Sequence, residues 1–223
     1  MISDLQYITK DQTGWTHAEL ASSACEAGVN WIQLRMKYAS IEDVVREGRL
    51  IRDICTTYNS RFILNDYVEL AARLGADGVH LGLQDMPVKE ARNLLGKEMI
   101  IGGTANTIEE ALKHIEDGAD YIGVGPFRYT ETKKTLSPVL GLKGMRLIAH
   151  GIRDYGVNPP IIAVGGILPT DLKGLYKVGV SGIAVSGFLT DAIVNNDATV
   201  VLRKMKKHWR SSDKNEYDKI DKL

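Results

Sequence analysis

The stretch Leu74-Gly75-Ala76-Asp77-Gly78-Val79-His80 decides the fold, because its pattern occurs four times along the chain. Each copy combines the end of a helical pattern, a glycine suited to the position after a helix, and a short apolar strand. The first glycines of the four copies, at 28, 75, 118 and 179, are 47, 43 and 61 residues apart. Each interval is long enough for two strand–helix units, so four pairs predict eight units. The other copies are 27–33, 117–123 and 178–184.

Several of the predicted strands are apolar without alternation, as in Phe62-Ile63-Leu64 and Ile161-Ile162-Ala163-Val164. Such runs indicate parallel strands that are buried on both faces. Eight strand–helix units in a chain of this length predict an α/β protein, a single (β/α)8 TIM barrel. A doubly wound open sheet is the structural alternative, although no Gly-x-Gly-x-x-Gly follows the first strand. We predict strands near 5–9, 30–35, 61–65, 78–82, 98–103, 120–124, 160–164 and 181–186, and helices that include 17–27, 41–57, 107–116 and 142–153.

The end of the chain divides into a helix and a polar tail. Val201, Met205 and Trp209 are four residues apart and are predicted to be the core face of the last helix. The sequence beyond them is polar and charged, which is typical of segments that do not fold. We therefore assign residues 1–210 to the barrel, as the catalytic domain, and residues 211–223 to a tail without function.

Composition excludes several function classes. The 223 residues carry 28 basic and 28 acidic side chains, so the net charge is zero and a nucleic-acid or acidic-membrane partner is not expected. No apolar stretch reaches the roughly 18 residues that a membrane span requires, and no signal peptide is recognised. We expect a cytoplasmic protein that acts on small molecules. The sequence leaves the oligomeric state open, with a homodimer as one alternative.

The end of the sixth predicted strand is equipped to bind phosphate. Gly123-Val124-Gly125-Pro126 lets the backbone approach a ligand closely. Thr130 and Thr132 offer hydroxyl donors, and Lys133 and Lys134 offer positive charge. A solvated basic loop is the alternative interpretation of this segment taken by itself.

Other strand ends also carry side chains suited to anions and metal ions, and in a barrel they meet at one face. Gln33, Arg35 and Lys37 alternate onto one side of the second strand and suit a diphosphate, although a surface charge pair is the alternative. Asp66 and Asp85 follow the third and fourth strands. Two carboxylates without cysteine or a histidine cluster suit Mg²⁺, although either one could instead cap the next helix.

The remaining strand ends predict a second anion site. Thr107 and Glu110 are predicted to form a capping box, which leaves Thr104 available as a ligand contact. His80 is expected to pack inside its strand end. Glycines after the seventh and eighth strands predict a phosphate cup of backbone amides, in Val164-Gly165-Gly166-Ile167 and Val185-Ser186-Gly187. One cationic diphosphate site and one neutral phosphate cup suit a reaction that joins two phosphorylated substrates and releases diphosphate.

On these residues the chain resembles the thiamine-phosphate synthase family over roughly residues 5–190. The family couples hydroxymethylpyrimidine diphosphate to a thiazole phosphate or its carboxylate and releases diphosphate, which leaves before the thiazole nitrogen attacks. The resemblance implies a transferase of thiamine biosynthesis that uses Mg²⁺. It rests on 33–37, 62–66, 78–85, 123–126, 130–134 and 165–167.

The resemblance also implies roles for matching residues. Lys133, Arg35 and Thr104 would act in catalysis, with Thr104 standing where the family usually has serine. Met36, Tyr129 and the Leu136-Ser137-Pro138 segment depart from the family pattern without removing a ligand-type residue. The implied contacts are Gln33, Arg35, Lys37, Asn65, Thr104 and Lys133 for the pyrimidine diphosphate, Thr130, Thr132, Gly166, Ser186 and Gly187 for the thiazole phosphate, and Asp66 and Asp85 for Mg²⁺.

Two rival functions remain from the sequence. A thiazole tautomerase shares the barrel and the phosphate cup but needs no diphosphate–Mg²⁺ site. A non-catalytic barrel that binds thiamine precursors and regulates a partner could lose its metal ligands without harm. The retention of Arg35, Lys37, Asp66, Asp85 and Lys133 argues against both.

Overall fold

Eight parallel strands pair in chain order, and the eighth pairs with the first to close a barrel. The computed structural model describes residues 4–129 and 138–211. The predicted (β/α)8 TIM barrel is confirmed, and the open sheet is excluded. The strands are β1 (Leu5–Ile8), β2 (Trp31–Leu34), β3 (Arg61–Asn65), β4 (Gly78–Leu81), β5 (Ile100–Ala105), β6 (Tyr121–Val124), β7 (Ile161–Val164) and β8 (Gly182–Val185).

Helices surround the strands in alternation with them. A short 3₁₀ helix, Pro169–Asp171, precedes α7. In the described part of the chain, no helix is both long enough and apolar enough to cross a membrane. The helices are α1 (His17–Glu26), α2 (Ile41–Thr57), α3 (Val68–Arg73), α4 (Val88–Leu95), α5 (Ile108–Glu116), α6 (Gly141–Asp154), α7 (Leu172–Lys177), α8 (Gly187–Val194) and α9 (Ala198–Ser211).

The fourfold repeat has a structural cause at the amino ends of the strands. Each of its first glycines follows a helix with a positive φ, between 64° and 98°, which a side chain would strain. In three of the copies the polar residue two positions later, Asp77, Asp120 or Ser181, accepts a hydrogen bond from a backbone N–H at a strand start. Asp77 accepts from the Phe62 N–H at 2.7 Å, and Asp120 accepts from the Ile101 N–H at 2.7 Å. The repeat thus ends a helix and anchors a strand start at the same time.

β5 is the element whose predicted position differs most from the structure. We predicted it near 98–103, yet the strand begins at Ile100 and runs through Ala105. Gly102 and Gly103 lie inside the strand because large side chains fill their places. A Cβ on Gly102 would lie 2.1 Å from Cζ of Tyr121, and one on Gly103 would lie 2.7 Å from Cγ of His114.

The barrel interior is a small core, separate from the larger one between strands and helices. Trp31 and Tyr121 are fully buried there and pack edge to face, with ring centroids 5.0 Å apart. Ile63, Ile162 and Ala184 complete this layer. The interior is therefore filled below, and a ligand can enter only from the carboxyl ends of the strands.

The last helix closes the outer core as predicted. Met205 is buried, and Val201 and Trp209 are partly buried against the same core. The helix ends at Ser211, one residue beyond the predicted end of the barrel domain. Residues 212–223, which include most of the predicted tail, lie outside the described part of the chain.

Candidate active site

Cationic and anionic side chains from neighbouring strands meet at the carboxyl end of the barrel. Lys37 follows β2 and Asp66 follows β3, and the Lys37 Nζ lies 4.0 Å from the Asp66 Oδ2. Arg35 is half-buried beside them, and its charge acts on Asp66 as well. The structure thus brings together the predicted diphosphate-binding cations and one predicted metal ligand.

Gln33 lies deeper than Arg35 and Lys37. Its side chain is buried inside the barrel, and its Nε2 donates to the Oε1 of Gln6 at 3.2 Å. The predicted alternation is right, but the three residues sit at different depths because the strand runs along the barrel wall. Arg35 and Lys37 are therefore the outer pair, and Gln33 could reach only the inner end of a ligand.

Asp66 and Asp85 form the second part of this region. Burial and the neighbouring Asp85 carboxyl raise the pKa of Asp66 to about 7, although Lys37 and Arg35 act in the opposite direction. Asp66 also has a φ of 69°, which is uncommon for a residue other than glycine. Such local strain is found most often at functional sites.

The alternative roles of the two carboxylates as helix caps are wrong. The residue at the cap of α3 is Tyr67, the residue at the cap of α4 is Pro87, and neither helix has a side-chain cap. Asp85 instead accepts a hydrogen bond from the Gly82 N–H at 2.6 Å, which holds its carboxylate at the strand end.

A divalent cation fits this pair of carboxylates. Each of two neighbouring carboxyls makes it harder for the other to lose its proton. A positive ion shared by both favours their charged forms. Residues 4–129 and 138–211 contain no group of three or more metal-ligating side chains. A metal held by two carboxylates needs further oxygen ligands, and Mg²⁺ commonly takes these from water and phosphate.

A chain of hydrogen bonds crosses the barrel interior below the carboxylates. The Nδ1 of His80 lies 3.0 Å from the Tyr121 hydroxyl, and its Nε2 lies 2.9 Å from the Thr104 Oγ1. Thr104 lies outside the capping box of Thr107 and Glu110, and its hydroxyl contacts His80. Its role as a ligand contact stays a prediction. His80 does pack inside the strand end, as predicted. Asn65, another predicted contact, is buried at the end of β3 in register with His80.

The predicted phosphate cup falls at the ends of β7 and β8. Gly165 and Gly166 have φ values of 98° and 64°, so the backbone turns there in a way that suits glycine. The Ser186 Oγ is buried and has no hydrogen-bond partner among the described residues. α8 begins at Gly187, where an added Cβ would meet open space. The leading amides of a helix are ordinarily unpaired and favour an anion.

Arg128 supports this cup, a role that no motif in the sequence indicates. Its guanidinium donates to both carboxylate oxygens of Asp171, at 2.9 and 3.0 Å, and to the Gly166 carbonyl. A bidentate pair fixes geometry better than a single contact. Thr130, Thr132 and Lys133 follow two to five positions later and lie outside the described residues.

Thr9 and His17 are further site-supporting residues that sequence reasoning missed. The Thr9 Oγ1 lies 2.7 Å from the His17 Nδ1 and accepts from the Arg35 N–H at 3.3 Å. His17 in turn contacts Asp11 at 3.2 Å. The position of Thr9 at the end of the first strand was a signal that could have found it.

Comparisons with known proteins agree with one family over most of the chain. A family model described as thiamine monophosphate synthase matches residues 5–189. The thiamine-phosphate synthase of Phocaeicola vulgatus is 48% identical over 189 residues, which is 85% of this chain and 91% of the relative. That of Flavobacterium johnsoniae is 43% identical over 192 residues, 86% of this chain and 91% of the relative.

A solved structure agrees with the same assignment. The thiamine phosphate pyrophosphorylase from Pyrococcus furiosus superposes with a TM-score of 0.80 and 32% sequence identity. The match covers 94% of this chain and 96% of that one. The agreement therefore extends over the whole barrel rather than over one strand–helix unit.

Proposed function

The chain belongs to the thiamine-phosphate synthase family, and from that premise we propose which of its residues carry out the synthase reaction. The enzyme is a transferase of thiamine biosynthesis. It condenses hydroxymethylpyrimidine diphosphate with a thiazole phosphate to give thiamine phosphate and diphosphate. The roles of individual side chains, the metal ion and the order of bond breaking are the substance of the proposal.

Arg35 and Lys37 bind the diphosphate of the pyrimidine substrate, and Lys133 joins them. The observation that carries this assignment is the meeting of Lys37 with Asp66 at neighbouring strand ends, beside Asp85. Positive side chains placed where negative charge grows stabilise the departing diphosphate more than the bound substrate. Gln33 contacts the inner end of the same substrate.

Asp66 and Asp85 would hold Mg²⁺, which would supply positive charge that stabilises the departing diphosphate. The proximity of the two carboxylates and the left-handed backbone of Asp66 support this assignment. Without a bound cation the two carboxylates repel each other, and the charge of Lys37 offsets only part of that repulsion.

Asn65 and Thr104 orient the pyrimidine above the filled barrel interior. Trp31 and Tyr121 close the interior below, so water reaches the reacting carbon only from the mouth of the barrel. The bond between the pyrimidine methylene carbon and the diphosphate oxygen breaks first, and its electron pair leaves with the diphosphate. The aminopyrimidine ring carries the positive charge, which a dry site protects from water.

The thiazole phosphate binds across the barrel, at the ends of β7 and β8. The amides near Gly166 and Gly187 and the unpaired hydroxyl of Ser186 bind its phosphate, with Thr130 and Thr132. The thiazole nitrogen then forms the new carbon–nitrogen bond with its lone pair. No general base is needed, because the attacking nitrogen carries no proton, and the protein contributes positioning and charge.

Turnover of the purified protein with both precursors and Mg²⁺ tests this proposal. We expect thiamine phosphate and diphosphate in equal amounts, and loss of both products when a chelator removes Mg²⁺. Rearrangement of a thiazole carboxylate phosphate without any pyrimidine substrate would instead establish a tautomerase. Binding of the precursors without turnover would establish a regulatory barrel. The cytoplasmic location and the possible homodimer stay predictions of the sequence.

A further inference from the structure

We propose that the buried chain Tyr121–His80–Thr104 turns the hydroxyl proton of Thr104 toward the substrate, which makes Tyr121 and His80 positioning residues for the synthase reaction. This inference deepens the proposed function and rests on it for the contact between Thr104 and the pyrimidine diphosphate. The chemical consequence is that Thr104 donates a hydrogen bond to an acceptor atom of the substrate, a ring nitrogen or a diphosphate oxygen. It cannot serve equally well as an acceptor for the amino group.

The buried hydroxyl of Tyr121 must find an acceptor for its proton. The side chain is fully buried inside the barrel, and burial raises the pKa of its phenol far above the usual value, so the phenol keeps its proton. This hydroxyl lies 3.0 Å from the His80 Nδ1, and the Gln6 amide, whose Oε1 already accepts a hydrogen bond from Gln33, also acts on it. An unmade hydrogen bond from a buried donor is costly, so Tyr121 donates to the His80 Nδ1.

The next step is the tautomer of His80. A neutral imidazole carries one proton, and the nitrogen that accepts from Tyr121 has none. The proton is therefore on Nε2, which donates to the Thr104 Oγ1 at 2.9 Å. The opposite tautomer would leave the Tyr121 proton without this acceptor. The His80 ring also stacks on Tyr121, at 5.5 Å between centroids and 27° between planes, which fixes its orientation.

The last step is the direction of the Thr104 hydroxyl. Because Oγ1 already accepts from His80, its own proton turns away from the interior and toward the carboxyl end of the barrel. The backbone of Thr104 is held from outside the barrel as well, because the His114 Nε2 donates to its carbonyl at 2.9 Å. Gly123 leaves the space that His80 occupies, since a Cβ there would lie 2.9 Å from the His80 Cε1.

Nitrogen NMR of the ligand-free protein tests the tautomer without any dependence on activity. The chain has five histidines, and the His80 signals are those that Tyr121→Phe shifts and Tyr7→Phe does not. Tyr7→Phe is a matched control, because it also removes a buried hydroxyl bonded to a threonine, Thr190 at 2.8 Å, outside the barrel interior. We expect His80 to have a protonated Nε2 and an unprotonated Nδ1. A protonated Nδ1 in the wild-type protein would overturn the proposal.

A double-mutant cycle tests the effect on catalysis. We expect Tyr121→Phe to lower kcat/KM for the pyrimidine diphosphate by about tenfold, the usual scale of one oriented hydrogen bond. KM for the thiazole phosphate should stay unchanged in Tyr121→Phe, and Tyr7→Phe should be as active as the wild type. Thr104→Ser keeps the hydroxyl and should stay within about threefold, whereas Thr104→Val should lose at least tenfold.

The two effects should not add, because Tyr121 acts through Thr104. Tyr121→Phe combined with Thr104→Val should be no slower than Thr104→Val alone. Additive losses, or an equal loss in Tyr7→Phe, would mean that Tyr121 supports the fold rather than the Thr104 hydroxyl. If the tautomer is as expected but the wild-type protein makes no thiamine phosphate from the two precursors, the proposed function is wrong and the hydrogen-bond chain stands.

Discussion

At the scale of single residues, Asp66 combines a left-handed backbone, a raised pKa and a place in the proposed metal site. Its left-handed φ and the neighbouring carboxyl both cost free energy in the ligand-free protein. A protein tolerates such costs where a ligand removes them, and a divalent cation shared with Asp85 would do so. Two variants separate the metal contribution from the fold.

The first prediction concerns Asp85. Asp85→Asn should lower kcat by about 100-fold, the scale of losing one transition-state charge contact, while the fold stays intact. Mg²⁺ with diphosphate should raise the Tm of the wild type by several degrees through binding and should have little effect on this variant. Asp53→Asn removes an exposed carboxylate on α2 and serves as the control. An Asp85→Asn enzyme that is fully active at limiting Mg²⁺ would refute the assignment.

The second prediction concerns the pH dependence of stability. Because the pKa of Asp66 is raised to about 7, the folded protein holds this proton more tightly than the unfolded chain does. The resulting stabilisation is fully present below the unfolded pKa of about 4 and is lost as the pH rises through 7. The free energy of unfolding of the metal-free wild type, relative to Asp66→Asn, should therefore fall between pH 4 and 7, by roughly 1 to 2 kcal/mol.

Denaturant unfolding at a series of pH values measures this difference. Mg²⁺ with diphosphate should reduce the fall, because the bound ion favours the charged carboxylate. If the difference in the free energy of unfolding between wild type and Asp66→Asn stayed constant from pH 4 to 8, the pKa of Asp66 would not be raised in the folded protein.

At the scale of elements, the repeat explains why the fold was readable from the sequence. The carbonyl of each first repeat glycine accepts a hydrogen bond from a cation on another helix. Arg52, Arg92, Arg153 and Lys206 are the four donors. Helix ends, glycines and apolar strands are local signals, so they could be predicted, whereas these long-range donors could not.

The site was less predictable than the strands, for a physical reason. Strand-end residues such as Lys37 and Asp66 were identifiable because parallel strands bring their carboxyl ends together. The hydrogen bond between Thr104 and His80 was not predictable. The spacing of these two residues in the sequence does not show which side chains fill the interior spaces left by glycines. The extent of β5 was misjudged for the same reason, since the sequence does not show that Gly102 leaves room for Tyr121.

The third prediction concerns the loop after β7. Arg128→Ala removes the contacts to Asp171 and to the Gly166 carbonyl and should relax the phosphate cup. We expect KM for the thiazole phosphate to rise about tenfold, as for one lost bidentate contact, with KM for the pyrimidine diphosphate unchanged. Steady-state kinetics with each substrate varied in turn measures this split.

Arg153→Ala is the matched control for Arg128→Ala. Arg153 also donates to a loop carbonyl, that of Gly179, but at the amino end of the barrel. It should lower the Tm slightly and change neither KM. If Arg128→Ala raised both KM values equally, Arg128 would stabilise the fold as a whole rather than the phosphate cup.

At the scale of the whole molecule, the barrel divides its two ends between stability and chemistry. The amino end carries the anchored repeat, and the carboxyl end carries Asp66 with its left-handed φ, the buried Ser186 hydroxyl and the Lys37–Asp66 contact. The interior below the site is filled by aromatic side chains, so the two proposed anion sites share one mouth.

The fourth prediction is that the proposed tail contributes neither to stability nor to catalysis. A stop codon after Ser211 removes residues 212–223 and leaves α9 complete. We expect kcat, both KM values and the Tm to equal those of the full chain. A clear loss of activity or of Tm would give the tail a function that its sequence does not indicate.

A crystal structure with thiamine phosphate, diphosphate and Mg²⁺ bound tests the central claim most directly, because it locates both anion sites at once. We predict diphosphate against Arg35 and Lys37, a metal ion in contact with both Asp66 and Asp85, and the phosphate of thiamine phosphate at Gly166 and Gly187. Diphosphate bound at the ends of β7 and β8, or a metal ion that touches neither carboxylate, would contradict the account.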